Sequence, residues 1–151
     1  ELEAQSENGG TPLIWAVCKA RNEVVKFLLG KGVDVDKRDD TQGWTSLHEA
    51  CATGTSRVVT QLLDAGADIE RPLPSGDTPL HVALTTENEE IALLLLERGA
   101  NVSTRASKNR TSLHLAAYHS LPRVAEKLLR LVEPATIHAA DEEIRTPLCY
   151  A

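Results

Sequence analysis

Methionine is absent from the sequence, and aromatic side chains are scarce: Trp15, Trp44, Tyr118, Tyr150 and Phe27 are all there are. A core so short of rings must be built from Leu, Val, Ile and Ala, which suits packed helices better than facing sheets. The lack of Met even at the first position leads us to expect a processed chain or a piece of something longer. Long apolar runs are missing too. "IALLLL" from Ile91 is the longest, far too short to span a bilayer, so no membrane insertion is expected. Neither a signal peptide nor a lipidation motif is recognisable.

Cysteine is limited to Cys18, Cys51 and Cys149, with no Cys-x-x-Cys pair and no metal-like spacing. Scattered thiols suit a reducing compartment, so an intracellular setting is expected, cytoplasmic with the nucleus as the alternative. Cys51 reads as a small core residue and Cys18 as partly exposed. Positive charge is in deficit as well. A formal charge of −6 argues against a general nucleic-acid binder, whose footprint would be basic.

The sequence also lacks the motifs of chemistry. There is no G-x-x-x-x-G-K-[ST] or G-x-G-x-x-G to cradle a phosphate, no H-E-x-x-H and no G-x-S-x-G. We therefore expect no enzyme, no cofactor and no metal. His119 and His138, with Cys149 or the acidic 141–143, could be imagined as a site, but nothing in their spacing demands it.

What the sequence does contain is repetition. "TPLIWAV" begins at Thr11, "TSLHEAC" at Thr45, "TPLHVAL" at Thr78, "TSLHLAA" at Thr111 and a cut copy, "TPLCYA", at Thr146; the steps are 34, 33, 33 and 35 residues. Gly32, Gly66 and Gly99 each fall 21 residues after their threonine. Two motifs locked to one period mark a repeat array. Within each unit the threonine suits an N-cap, and Pro after it suits the first helical turn. Leu13, Ala16 and Val17 share one face of a first helix. Pairs such as Val24-Val25 with Leu28-Leu29 stripe a second. The glycines stand where a left-handed residue ends that helix. A lone hairpin of this kind cannot hide its apolar face, whereas stacked neighbours can.

Thr-Pro/Ser-Leu-His at 45–48, 78–81 and 111–114, the paired Val and Leu residues and the Gly-Ala-Asp/Asn motifs resemble the ankyrin repeat family over essentially the whole chain. The resemblance implies a mainly α solenoid of stacked antiparallel helix pairs with β-turn fingers. Residues 1–10 would be the finger of a preceding repeat. Repeats would span 11–44, 45–77, 78–110 and 111–145, with a truncated fifth at 146–151. It also implies that His48, His81 and His114 bond to backbone and steady the helix starts. Lying one repeat apart, ~10 Å by packed-helix distances, they cannot share a metal ion.

Some positions depart from the pattern. Val132 and Pro134 replace the glycine and the Asp/Asn of the fourth unit, so its finger is expected to leave the regular turn. Glu87 and Ser120 stand where Gly54 marks the inter-helix turn; those loops should still close, through Asn88 and with Pro122 opening the next helix.

Ankyrin partners contact finger tips and inner helices. Mapped here, that implies Gln42, Trp44 and Thr53, then Asp77, Thr85 and Thr86, then Arg105, Lys108, Arg110, Tyr118 and His119, facing another protein or a peptide. For Trp44 a binding role competes with a ring that only covers the neighbouring finger. "RASKNR" (105–110) is either a solvated charged turn or a basic ridge steering an acidic partner, and the acidic 141–143 could blunt it. A non-catalytic interaction module is the reading reached. A spacer or regulatory arm bound within the same parent protein is the alternative.

Overall fold

The computed structural model describes Ser6 and residues 9–150; most of the finger expected at 1–10, and Ala151, lie outside the described residues. Among the described residues nine α-helices follow in order: α1 (Pro12–Cys18), α2 (Asn22–Gly30), α3 (Ser46–Thr53), α4 (Ser56–Asp64), α5 (Pro79–Thr85), α6 (Glu89–Glu97), α7 (Ser112–Tyr118), α8 (Pro122–Leu131) and a single turn, α9 (Pro134–Ile137). Among the described residues the only β pairing is one bridge, Arg105 with Thr111.

Each first helix packs against the second helix of its own unit and against the next first helix, so α1, α3, α5 and α7 form one row and α2, α4, α6 and α8 the other. The first row meets through Ala16, Ala50, Ala83 and Ala116, all buried. Small residues let those backbones approach, and this row becomes the inner side of the stack. The second helices turn inward Val25 and Leu28, Val58, Val59 and Leu62, Ile91 and Leu95, and Val124 and Leu128. Each fully buried Leu contributes roughly 1.5–3 kcal/mol of transfer free energy, so stacking, not the single hairpin, holds the fold. One expected stripe residue differs. Val24 points outward, 47% exposed, where its counterpart Val58 is fully buried.

The threonines cap as their chemistry requires. Thr11 Oγ1 accepts from Ile14 N–H at 3.2 Å, and Thr111 Oγ1 from His114 N–H at 3.4 Å. Gly32, Gly66 and Gly99 take φ of 74°, 90° and 87°, and no atom lies within 4 Å of an added Cβ. Backbone conformation, not lack of room, asks for glycine there. In the fourth unit Val132 is extended instead, and Pro134 starts α9, so the irregular finger expected from the sequence is an inserted helical turn. The inter-helix turns all close left-handed, at Ala20, Gly54, Glu87 and Ser120, with φ of 50°, 78°, 60° and 53°. Asn88 bridges units, its Nδ2 donating to the carbonyls of Cys51 (2.8 Å) and Ala52 (3.1 Å), and Pro122 opens α8.

Candidate functional site

The fingers are rigid because their own polar groups close them. In the second finger Asp39 N–H donates to Trp44 O at 2.8 Å, and Asp39 Oδ1 accepts from the backbone N–H groups of Gln42 and Trp44, both at 3.0 Å. Asp141 repeats the arrangement in the last finger, accepting from Glu143 and Arg145 N–H at 2.9 Å each. At the tips, two residues before each threonine, Gly43, Gly76, Asn109 and Ile144 are left-handed, and Lys108 joins Asn109 at φ 60°.

Neighbouring fingers are then tied together. Arg38 Nη2 donates to Pro72 O at 2.7 Å, Ser107 N–H to Asp77 Oδ1 at 3.1 Å, Arg105 Nη1 to Ala140 O at 3.2 Å and Glu142 N–H to Lys108 O at 3.1 Å. Asn101 N–H donates to Glu70 Oε1 at 2.7 Å. A surface held this way is preorganised, and a partner bound to it would not have to order it.

The candidate residues fall into two groups. Gln42, Thr53, Thr85, Arg105, Lys108 and Tyr118 present exposed side chains. The others also do structural work, as do Arg105, which donates to Ala140 O, and Thr53, whose Oγ1 returns to Glu49 O at 2.9 Å. Trp44 is half-buried against the core, its ring 6.2 Å from that of His48. Asp77 accepts from Ser75 Oγ at 2.6 Å besides Ser107. Thr86 Oγ1 returns to Val82 O at 2.9 Å. Arg110 Nε donates to Ser107 O at 3.3 Å. Trp44 closes the first repeat and Tyr118 lies in the fourth, so the candidates do not form one patch.

Tyr118 and His119 do come together, and with residues the sequence reading missed. The Arg145 guanidinium lies 4.7 Å over the Tyr150 ring. Tyr150 meets Tyr118 edge-to-face at 5.5 Å, and Tyr118 meets His119 at 4.9 Å. His119 Nδ1 is 3.2 Å from Glu87 Oε1. This strip crosses three units of the inner face, with Tyr118 57% exposed at its centre. The one available signal was an aromatic four residues after the last threonine, inside the cut unit.

Asp141 anchors the far end of the strip. Burial works against its ionisation, but Tyr150 Oη–H at 2.6 Å, the Arg145 and Glu143 N–H groups and the Arg145 side chain outweigh it. They hold the carboxyl well below the usual carboxylate range. The acidic segment does not blunt the basic ridge by ion pairing. Asp141 and Glu143 pair with Arg145 at 3.3 and 2.8 Å, and Glu142 meets the fourth finger through its backbone N–H, which donates to Lys108 O at 3.1 Å. The imagined His119–His138 site is not assembled either: His138 lines an apolar groove with Leu113, Leu129 and Leu148, while His119 faces Glu87. Among the described residues no group of three or more His, Cys, Asp or Glu could hold a metal ion, and no helix is long and apolar enough to cross a membrane.

The family model described as ankyrin repeats (3 copies) matches residues 1–73, 37–106 and 71–141. Among curated proteins, the chain is 39% identical over 62 residues to mouse ankyrin repeat and SAM domain-containing protein 6, covering 41% of the chain and 7% of that protein. It is 37% identical over 76 residues to mouse protein phosphatase 1 regulatory subunit 27, covering 50% of the chain and 49% of that protein. To the probable 26S proteasome regulatory subunit p28 of Saccharomyces cerevisiae it is 38% identical over 65 residues, covering 42% of the chain and 28% of that protein. The matched stretches thus span less than half of each relative.

Proposed function

The chain belongs to the ankyrin repeat family, and from that premise we propose that it is a non-catalytic module that binds a protein or peptide along its inner face. The observation carrying this reading is the exposed ring strip centred on Tyr118, set beside fingers that are locked before any partner arrives. Tyr, Trp and Arg are the residue types that dominate interface energetics, and Tyr118, Trp44 and Arg110 supply them. Two relatives are named as regulatory subunits, a role that fits a module whose task is to hold another protein. The repeat boundaries at 11, 45, 78, 111 and 146 belong to this reading, as does an intracellular setting, which suits three unpaired thiols.

The test is capture from lysate of the source cells with the wild-type chain, Trp44→Ala and Tyr118→Ala, all matched for Tm. The expected result is a protein retained by the wild type and lost by Tyr118→Ala, with hydrogen exchange slowed on the inner face when the two are mixed. Retention by every variant would sink the assignment of the surface. Retention by none would favour a spacer bound within its own parent protein.

A further inference from the structure

Between Glu97 and Glu126 the chain has no Asp or Glu, yet it carries Arg98, Arg105, Lys108, Arg110 and Arg123. The fold neutralises two of these cations. Arg98 pairs with Asp64 at 3.0 Å and Arg123 with Glu89 at 3.6 Å, both on the outer helices. The remaining three all sit on the fourth finger, and among the described residues none of them has an ion-pair partner. Their situation differs from that of Arg57, Arg130 and Arg145, which hold carboxylates at 2.6 to 3.8 Å.

The two arginines of the finger are nevertheless fixed. Arg105 Nη1 donates to Asn109 O (2.8 Å) and Ala140 O (3.2 Å), and Arg110 Nε to Ser107 O. Carbonyl oxygens orient a guanidinium without cancelling its charge, so part of the rotamer entropy is lost before a ligand arrives. Lys108 adds an independent sign. It stands left-handed at φ 60° beside Asn109, which at φ 58° fills the place that Gly43 and Gly76 take in the second and third fingers. A left-handed lysine strains the backbone, and its exposed side chain repays nothing within the fold.

We propose that the fourth finger, with Arg105, Lys108 and Arg110, recognises an acidic protein segment, carboxylate-rich and carrying an aromatic or large apolar residue that docks on Tyr118 at the end of the helix that follows the finger. The inference rests on the protein-binding reading of the inner face and supplies the chemistry of the partner. In a chain of net charge −6, a locally positive finger steers such a segment to that place and repels it from the rest.

The probe is a short fluorescent peptide of alternating Asp and Glu around one central Phe, followed by anisotropy on the intact chain. Its Asn/Gln counterpart and a single-stranded DNA oligomer serve as competitors. The acidic peptide should bind, lose affinity as salt is raised through about 0.3 M, and resist competition by the neutral peptide. Lys108→Gly is the decisive variant because it relieves the backbone. Its Tm should hold or rise while peptide affinity falls about threefold to fivefold, the scale of one exposed charge contact. Tyr118→Ala should weaken the Phe peptide more than one lacking Phe. Equal binding of acidic and neutral peptides, indifference to Lys108→Gly, or DNA competing as well as the acidic peptide would each overturn the proposal. A lysate partner lost on Tyr118→Ala but untouched by Lys108→Gly and by excess acidic peptide would overturn this inference alone and leave the inner-face reading standing.

Discussion

His114 Nε2 lies 2.9 Å from the carbonyl oxygen of Arg145, one finger further along the chain. Its Nδ1 accepts the backbone N–H of Thr111 at 3.1 Å. Because a backbone N–H can only donate, Nδ1 is the acceptor and Nε2 carries the proton. The ring therefore joins the helix start of its own unit to the finger of the next. His81 also joins its own helix start to the next unit, there at the start of α7, with Nδ1 at 3.1 Å from Thr78 N and Nε2 at 3.3 Å from Ser112 Oγ. His48 keeps the inner bond to Thr45 at 3.2 Å, but its Nε2 finds no partner at bonding geometry.

His81→Ala should accordingly cost about 1–3 kcal/mol of unfolding free energy, the scale of a buried hydrogen-bonding group removed from its partners. Urea unfolding followed by circular dichroism measures it. His48→Ala should cost less than His81→Ala, since one fewer bond is lost. A variant of His81 with wild-type stability would contradict the structural role of the ring.

The same rings set an acid limit. Burial lowers His48 and His81 from 6.5 to about 4, although nearby backbone carbonyls and, for His81, the Asp77 carboxylate pull the other way. In the unfolded chain each histidine takes its proton near pH 6.5, while the folded chain refuses it until about pH 4. Across that window the unfolded state holds more protons, so stability rises with pH and falls as pH drops from 6.5 towards 4. Each ring accounts for roughly 3 kcal/mol at the bottom of the window. Thermal melts in buffers from pH 7.5 to 4 should show a falling Tm, and His48→Ala should flatten the slope. A Tm that is level over this range would refute the neutral, buried assignment.

These histidines were legible in the sequence because their position recurs with the threonine that caps each helix. The same short-range rules exposed the helix-ending glycines and the irregular last finger. The ring strip was not legible in that way. It joins Arg145, Tyr150, Tyr118, His119 and Glu87 across three units, and no spacing in one sequence says which side chains of successive layers will meet. Asp77 illustrates the converse. It was read as a binding residue from its place in the finger, and its bond to Ser107 emerges only when the fingers lie side by side.

Ser120→Gly should stabilise the chain. Ser120 is exposed and left-handed at φ 53°, a conformation that costs a residue with a Cβ about 1–2 kcal/mol. Glycine removes that cost but loses about 0.5–1 kcal/mol more unfolded-chain entropy. The net gain is on the order of 0.5 kcal/mol, readable as a small rise in the urea midpoint. Gly54→Ala is the mirror experiment and should destabilise by more. It adds the same backbone strain, and its Cβ would fall 2.9 Å from Asn88 Oδ1, disturbing the amide that bridges to Cys51 and Ala52.

Asp141→Asn should loosen the last finger without unfolding the stack. The carboxylate takes Tyr150 Oη–H at 2.6 Å and the Arg145 Nε–H on one oxygen, and two backbone N–H groups on the other. Asparagine keeps one oxygen for the backbone pair but offers Nδ2 to Tyr150 and loses the attraction for Arg145. Because the folded carboxyl sits below its ordinary value, its contribution is present at neutral pH and is lost only as pH falls below about 4. The variant should therefore melt lower at pH 7 and lose less on acidification below pH 4 than the wild type. Carbon-detected NMR reads the group directly: Asp141 should still be ionised at a pH where a free aspartate is half protonated. Tyr150→Phe removes only the 2.6 Å bond and should move that titration part of the way up. An Asp141 that titrates like a free aspartate would mean the finger is not closed around it, and Arg145 would then be free to leave the Tyr150 ring.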